Sequence, residues 1–174
     1  MEQRILSVFG DEFFPKDGAG VSQTERQFAV DSIVEFFDRT RPTLVYIIPS
    51  KGTPALVTLI CCIMKIPYIM VSPYPRYFNR VGVRDKICIK NTLDRAKSWI
   101  LMDDKTPKTL KKGNALYEEA VDFVCKVSNA IIFFYSKNTS KEYRKFMDDI
   151  CAKGHVDEEL TWELVYDSRK QPIK

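Results

Sequence analysis

The segment TLVYIIPSKGTPALVTLICCIM, residues 43–64, joins a strand-like run to an apolar helix through one tight turn. Thr43 to Ile48 is a continuous apolar run of strand length, which is typical of a strand buried on both faces of a sheet. Ala55 to Met64 is too short to cross a bilayer and is closed by Lys65 and Pro67, so it predicts a buried helix. A buried strand that leads directly into a buried helix is typical of a βαβ unit.

The rest of the chain repeats this alternation. Further strand-like runs are Ile5 to Phe9, Tyr68 to Val71, Trp99 to Met102, Ala130 to Tyr135 and Leu160 to Tyr166. Helical patterns begin near Ser22, Asn91, Asn114 and Thr139, and the pairs Ser22/Glu25 and Thr139/Glu142 have the spacing of a capping box. Strands separated by helices form right-handed βαβ units. The sequence therefore predicts an α/β fold with a single doubly wound, mostly parallel sheet flanked by helices, Rossmann-like, in one domain over residues 1–174.

Composition limits the classes of partner. The 174 residues are 45% hydrophobic and 29% charged with a net charge of +4, which is globular rather than disordered. The densest basic run, Lys105 to Lys112, is short, so we interpret it as a solvated loop. A nucleic-acid partner is not expected, because it would require a much larger basic stripe. No segment is apolar for long enough to predict a membrane partner.

Cysteine usage indicates a reducing compartment. The chain has five cysteines and one histidine, His155, and no C-x-x-C pair, so it has no local frame for a metal site. An odd number of cysteines in apolar contexts favours reduced core thiols over a disulfide scaffold. Met1 to Arg4 leads directly into a strand-like run without the apolar core of a signal peptide. We expect a cytoplasmic protein with no metal and no cofactor.

The turn from Ser50 to Thr53 is the most informative candidate site. Ligands of open parallel sheets lie outside the carboxyl ends of the strands, which is where this turn falls. Thr53 is a good N-cap residue, Pro54 suits the first helical position, and Gly52 permits close approach to a ligand. The following helix dipole and Lys51 favour an anion. The alternative is a simple strand-to-helix connection, because the turn is neither a P-loop nor a G-x-G-x-x-G loop.

Carboxylates offer weaker candidates. Asp11 and Glu12 follow the first strand and could bind ribose hydroxyls or act as a base, although a solvated turn is the simpler interpretation. Asp103 and Asp104 present the same choice, and the solvated turn is again favoured. Asn114 is interpreted either as a helix cap or as a ligand contact.

The order of these motifs resembles a known superfamily. The chain resembles the SLOG superfamily of DprA/LOG/YpsA-like Rossmannoid domains in four segments: a strand ending in Gly10-Asp11, the run from Val45 to Ala55, the run from Ile66 to Ile69 and the later Gly113-Asn114-Ala115-Leu116-Tyr117. Within that superfamily the segments are most similar to the YpsA-like branch. The resemblance covers about Leu6 to Tyr135. It implies binding of a nucleotide or nucleotide-derived ligand, with binding roles for Gly10, Ser50, Gly52, Thr53 and Asn114. Proteins of this kind often form dimers, so a homo-oligomer is a further implied partner.

The sequence thus leaves three functions open. The first is a nucleotide-like ligand bound at the carboxyl edge of the sheet by a sensor or sequestering protein. The second is an enzyme that cleaves an N-glycosidic bond with Glu12 or Glu119 as its carboxylate, since that chemistry requires a carboxylate near the anomeric carbon. The third is an interaction module with a vestigial pocket. The LOG-type P-G-G-x-G-T-x-x-E signature is absent, which favours the first and third over the second.

Overall fold

The computed structural model describes residues 3–10, 23–50, 52–77, 94–136, 140–153 and 161–166. These residues contain six strands and four helices. In chain order they are β1 (Ile5–Gly10), α1 (Gln23–Thr40), β2 (Leu44–Ile47), α2 (Thr53–Met64), β3 (Tyr68–Ser72), β4 (Ser98–Leu101), α3 (Leu110–Val127), β5 (Ala130–Ser136), α4 (Lys141–Ala152) and β6 (Thr161–Tyr166).

The six strands form one sheet in the order β4-β3-β2-β1-β5-β6. Every pairing between neighbouring strands is parallel. The strand order reverses direction between β1 and β5, where Val8 pairs with Ile132 and Gly10 with Phe134. The predicted doubly wound, Rossmann-like α/β fold is therefore confirmed, and its switch point lies between β1 and β5.

Helices cover both faces of the sheet. One core cluster joins α1 and α2 to strand residues such as Leu6, Val8 and Ile132, and a second joins α3 and α4 to Phe9, Ile131 and Phe133 among others. Successive strand residues point to opposite faces, so a strand covered on both sides must be apolar at every position. That is why β2 and β5 are unbroken apolar runs in the sequence. None of the helices in the described residues has both the length and the apolar character needed to cross a membrane.

Three predicted helix starts are corrected by the structure. The N-cap of α2 is Gly52, and Thr53 is the first helical residue. The N-cap of α3 is Thr109, whose side chain accepts a hydrogen bond from the Lys112 N–H at 3.2 Å, so Asn114 does not begin or cap this helix. The N-cap of α4 is Ser140, which accepts from the Tyr143 N–H at 3.1 Å.

Two other expectations also differ from the structure. The sequence predicts a helix over residues 91–98, but residues 94–97 form turns and Ser98 already belongs to β4. The remainder of that predicted helix, residues 91–93, lies outside the described residues. The same is true of Thr139, the expected capping residue for α4.

Candidate functional site

A cavity of about 480 Å³ opens at the carboxyl edge of the sheet, beside the switch point. Its walls come from the end of β1, the residues that follow β2, the turn that follows β3, and the helices α2, α3 and α4. The described lining residues are Val8, Phe9, Gly10, Ile48, Ser50, Pro54, Tyr77, Tyr117, Ser140, Glu142, Tyr143 and Phe146. A crevice in this place is where open α/β sheets bind ligands.

Gly10 and Thr53 are in direct contact behind this cavity. A Cβ atom placed on Gly10 would lie 2.1 Å from the Cβ atom of Thr53 and 2.5 Å from its Oγ1 atom. Thr53 is fully buried. The two predicted site residues therefore act together, since the missing side chain of Gly10 lets the first residue of α2 approach the end of β1. Gly10 also lines the cavity, whereas Thr53 packs behind it.

The amino terminus of α2 lies at this cavity and has glycine at its N-cap position. Gly52, its N-cap residue, has φ 74° and ψ −133°, a backbone conformation that favours glycine. Glycine has no side chain with which to cap this end, and Ser50 and Pro54 line the cavity near it. The positive end of the helix dipole therefore favours negative charge at this wall. Lys51, predicted to add a charge here, lies outside the described residues.

Five aromatic side chains form the opposite side of the cavity. Tyr77 stacks on Tyr117 with ring centroids 6.1 Å apart and planes 27° apart. Tyr117 continues to Phe146 at 6.5 Å, and Phe146 contacts Phe9 edge-on at 5.5 Å and Tyr143 at 5.8 Å. This aromatic wall offers flat apolar faces together with tyrosine hydroxyl groups, which suits a planar ring that carries polar substituents.

The first turn of α4 adds polar groups to the same cavity. Ser140 is occupied as the N-cap of α4, while Glu142 is exposed at the rim and is the one charged residue among the described lining residues. A carboxylate accepts hydrogen bonds from hydroxyl or amino groups. In the sequence Glu142 stands out only as the second member of the Thr139/Glu142 capping pattern, which gives no sign of its place in the cavity. The helical pattern predicts that Tyr143 and Phe146 face inward; both pack against the core cluster of α3 and α4 and also line the cavity.

The other predicted residues are dispersed. Asn114 is exposed on α3, and it is Tyr117, one turn further on, that reaches the cavity. Glu119 is also exposed on α3 and does not line the cavity. Asp11 and Glu12 lie outside the described residues.

The Asp103 carboxylate belongs to a turn. It accepts the Lys105 N–H at 2.9 Å and pairs with the Lys112 ammonium group at 3.1 Å. These two contacts, the backbone hydrogen bond first, lower the pKa of Asp103.

Two of the described cysteines, Cys61 and Cys125, are buried core thiols. Burial raises the pKa of the Cys125 thiol to about 12 and also raises the pKa of Cys61, so both are protonated core residues at neutral pH. Within the described ranges, no three His, Cys, Asp or Glu side chains are grouped so that they could hold a metal ion. The described lining of the cavity offers aromatic, hydroxyl, carboxylate and helix-end groups.

No protein-family model matches the chain, and no curated protein matches it. The resemblance to the SLOG superfamily stays a prediction.

Proposed function

We propose that the cavity binds a nucleotide or nucleotide-derived ligand and that the protein acts as a sensor or sequestering protein for it. The observation that carries this proposal is that one cavity at the switch point is lined both by aromatic side chains and by the amino terminus of a helix. The aromatic wall suits a base, and the positive amino terminus of α2, with glycine at its N-cap, suits an anionic group. The resemblance to the YpsA-like branch of the SLOG superfamily supports the same ligand class.

The walls also suggest an orientation for the ligand. The base stacks on Tyr117 or its neighbours, where stacking on one aromatic side chain contributes about 1–3 kcal/mol. A phosphate lies near Ser50 and Pro54, at the positive end of α2. The Glu142 carboxylate then accepts hydrogen bonds from sugar hydroxyls or from an amino group of the base.

Thermal-shift measurements with nucleotides, cyclic nucleotides, NAD and ADP-ribose test the proposal. A ligand at 100 times its Kd stabilises the folded state by about 2.7 kcal/mol, which raises the Tm of a chain of this length by roughly 5–10 °C. Tyr117→Leu removes a stacking surface and is expected to abolish most of that shift. Phe123→Leu is the matched control, because Phe123 is also half-buried on α3 but contacts Tyr46 and does not line the cavity.

Two results would count against binding at this site. If no member of the panel raises the Tm, the remaining hypothesis is an interaction module whose pocket is vestigial. If a nucleotide stabilises wild type and Tyr117→Leu equally, the ligand binds elsewhere on the protein.

Hydrolysis of an N-glycosidic bond is the second candidate function. The observation that favours it is the Glu142 carboxylate at the rim, since stabilising positive charge at an anomeric carbon requires a carboxylate beside the sugar. Chromatography of nucleoside monophosphates after incubation would detect a released base. Glu142→Gln should abolish the release, whereas Glu119→Gln, an identical change outside the cavity, should not. Equal rates in the two variants would exclude Glu142 as the catalytic group.

A further inference from the structure

A second cleft of about 450 Å³ is lined in part by the basic run at residues 105–112. It lies between the turn that follows β3 and the loop that leads into α3. Its walls are Tyr74, Pro75 and Arg76 on one side and residues 106–110 on the other. Tyr74 is in edge-on contact with Tyr77 at 5.3 Å, so the same turn separates this cleft from the aromatic cavity.

Backbone hydrogen bonds hold the two walls together. The Met102 N–H donates to the Ser72 carbonyl at 3.1 Å, and the Asp103 N–H donates to the Pro73 carbonyl at 3.2 Å. The Thr106 hydroxyl donates to the Pro75 carbonyl at 3.3 Å. These hydrogen bonds join the turn that follows β3 to the loop that leads into α3, and the cleft lies between them.

The described lining of this cleft carries positive charge only. Arg76 and Lys108 are its two ionic residues, both are exposed, and neither has an ion-pair partner within the described residues. The nearby Asp103 carboxylate is already paired with Lys112. The lining also includes Pro75 and Leu110, and the Leu110 side chain is 65% exposed. An anion with an apolar portion would complement both features.

We propose that this cleft binds a phosphate monoester, with its phosphoryl group between Arg76 and Lys108 and its apolar portion against Pro75, Pro107 and Leu110. A monoester carries a charge of about −1.5 to −2 at pH 7, which matches two cations that have no ion-pair partner among the described residues. The planar guanidinium group of Arg76 suits bidentate contact with phosphoryl oxygens. A phosphodiester carries one charge and leaves one cation uncompensated, so the cleft favours the monoester. This site is separate from the nucleotide cavity and does not depend on the function proposed for it.

Isothermal titration with phenyl phosphate as the probe tests the proposal. Arg76→Gln and Lys108→Gln should each weaken binding at least about fivefold, the scale of one exposed charge-assisted hydrogen bond. Lys111→Gln is the matched control, because it makes the same charge change on an exposed residue that does not line the cleft. Diphenyl phosphate, a monoanion, should bind wild type at least about fivefold more weakly than phenyl phosphate.

Each contrary result identifies a different error. Equal weakening by Lys111→Gln and Lys108→Gln would show diffuse charge attraction without a site. If Tyr117→Leu loses phenyl phosphate binding while Arg76→Gln binds phenyl phosphate as wild type does, the probe lies in the aromatic cavity. Absence of measurable binding to wild type would overturn the proposal outright. A thymidine decamer that binds more tightly than phenyl phosphate and requires Arg76 and Lys108 would replace the monoester with nucleic acid.

Discussion

Replacing Gly10 by alanine tests the contact that brings α2 to the end of β1. The added Cβ atom would lie 2.1 Å from the Cβ atom of Thr53, whereas ordinary van der Waals contact begins at 3.4 Å. The two segments must therefore separate by about 1.3 Å. Rotation of the Thr53 side chain gives no relief, because its Cβ atom is itself the nearest atom. Thr53 is fully buried, so the movement must involve the backbone at the start of α2.

Overpacking of this kind typically costs about 1–3 kcal/mol, and forced backbone movement places Gly10→Ala near the upper end. We expect the free energy of unfolding to fall by about 3 kcal/mol, equivalent to a Tm lower by roughly 6–12 °C for a chain of this length. Urea unfolding measures the change directly, provided that the m value is unaltered. The nucleotide binding that we propose for the cavity should weaken as well, since Gly10 lines it.

Gly113→Ala is the control, because the same substitution there should have the opposite sign. Its nearest neighbours would be the Pro107 Cγ atom at 3.5 Å and the Tyr74 Cε1 atom at 3.6 Å, which is ordinary contact. Gly113 lies inside α3, so alanine should stabilise the protein by up to about 0.8–1 kcal/mol. A Gly10→Ala variant within about 0.5 kcal/mol of wild type would refute the close contact. So would a Thr53→Gly change that costs as much stability in Gly10→Ala as it costs in wild type, since relief of the clash should make the second change less costly.

Two further predictions concern titratable groups. At pH 8 iodoacetamide should alkylate Cys151, which is exposed, and should not alkylate Cys125, which is buried and has a raised pKa. The native protein is labelled, then digested, and the labelled peptides are identified by mass spectrometry. Equal labelling of the two cysteines would mean that Cys125 is accessible. The pKa of Asp103 is lowered by the Lys105 N–H and by Lys112, so its contribution to stability is complete above the ordinary carboxyl pKa and is lost as pH falls through the lowered value. An NMR titration of the Asp103 carboxyl carbon should show a pKa below the ordinary value that rises in Lys112→Gln, and an unchanged pKa in that variant would exclude the ion pair as a cause.

The fold was predictable because each buried strand can be recognised from its own local sequence. β2 and β5 are continuous apolar runs, and α2 is an apolar helix that must be buried between other elements. Such patterns follow from burial on both faces and need no knowledge of which strands pair. The sequence therefore predicts the layers and the parallel direction of the strands without predicting their order.

Helix starts were less predictable, because a cap is determined by backbone geometry as much as by residue type. Thr109 caps α3 with φ −126° and ψ 150°, yet Asn114 is an equally good capping residue by type. At α2 the chain passes through a glycine conformation at Gly52, which moves Thr53 into the helix although threonine is a common capping residue. Both errors shift a boundary and leave the element in place.

The composition of the cavity depends on strand order, which local patterns do not encode. β1 and β5 are neighbours although more than a hundred residues separate them along the chain, and their pairing places Gly10 beside Phe134. α2 and α4 pack on opposite faces of the sheet, so a crevice opens between their amino termini. Residues of α4 such as Glu142 meet residues that follow β2 only through this arrangement.

The place of Tyr117 in the cavity follows from the true start of α3. Because α3 follows a parallel strand, its amino terminus lies at the carboxyl edge of the sheet. It begins at Leu110, four residues before Asn114, and at 1.5 Å per residue this places Asn114 about 6 Å into the helix. Helical side chains lean toward the amino terminus, so a long side chain covers the turn before its own backbone. Tyr117 therefore reaches back toward the carboxyl edge and stacks on Tyr77, which explains why this residue enters the site while Asn114 remains exposed.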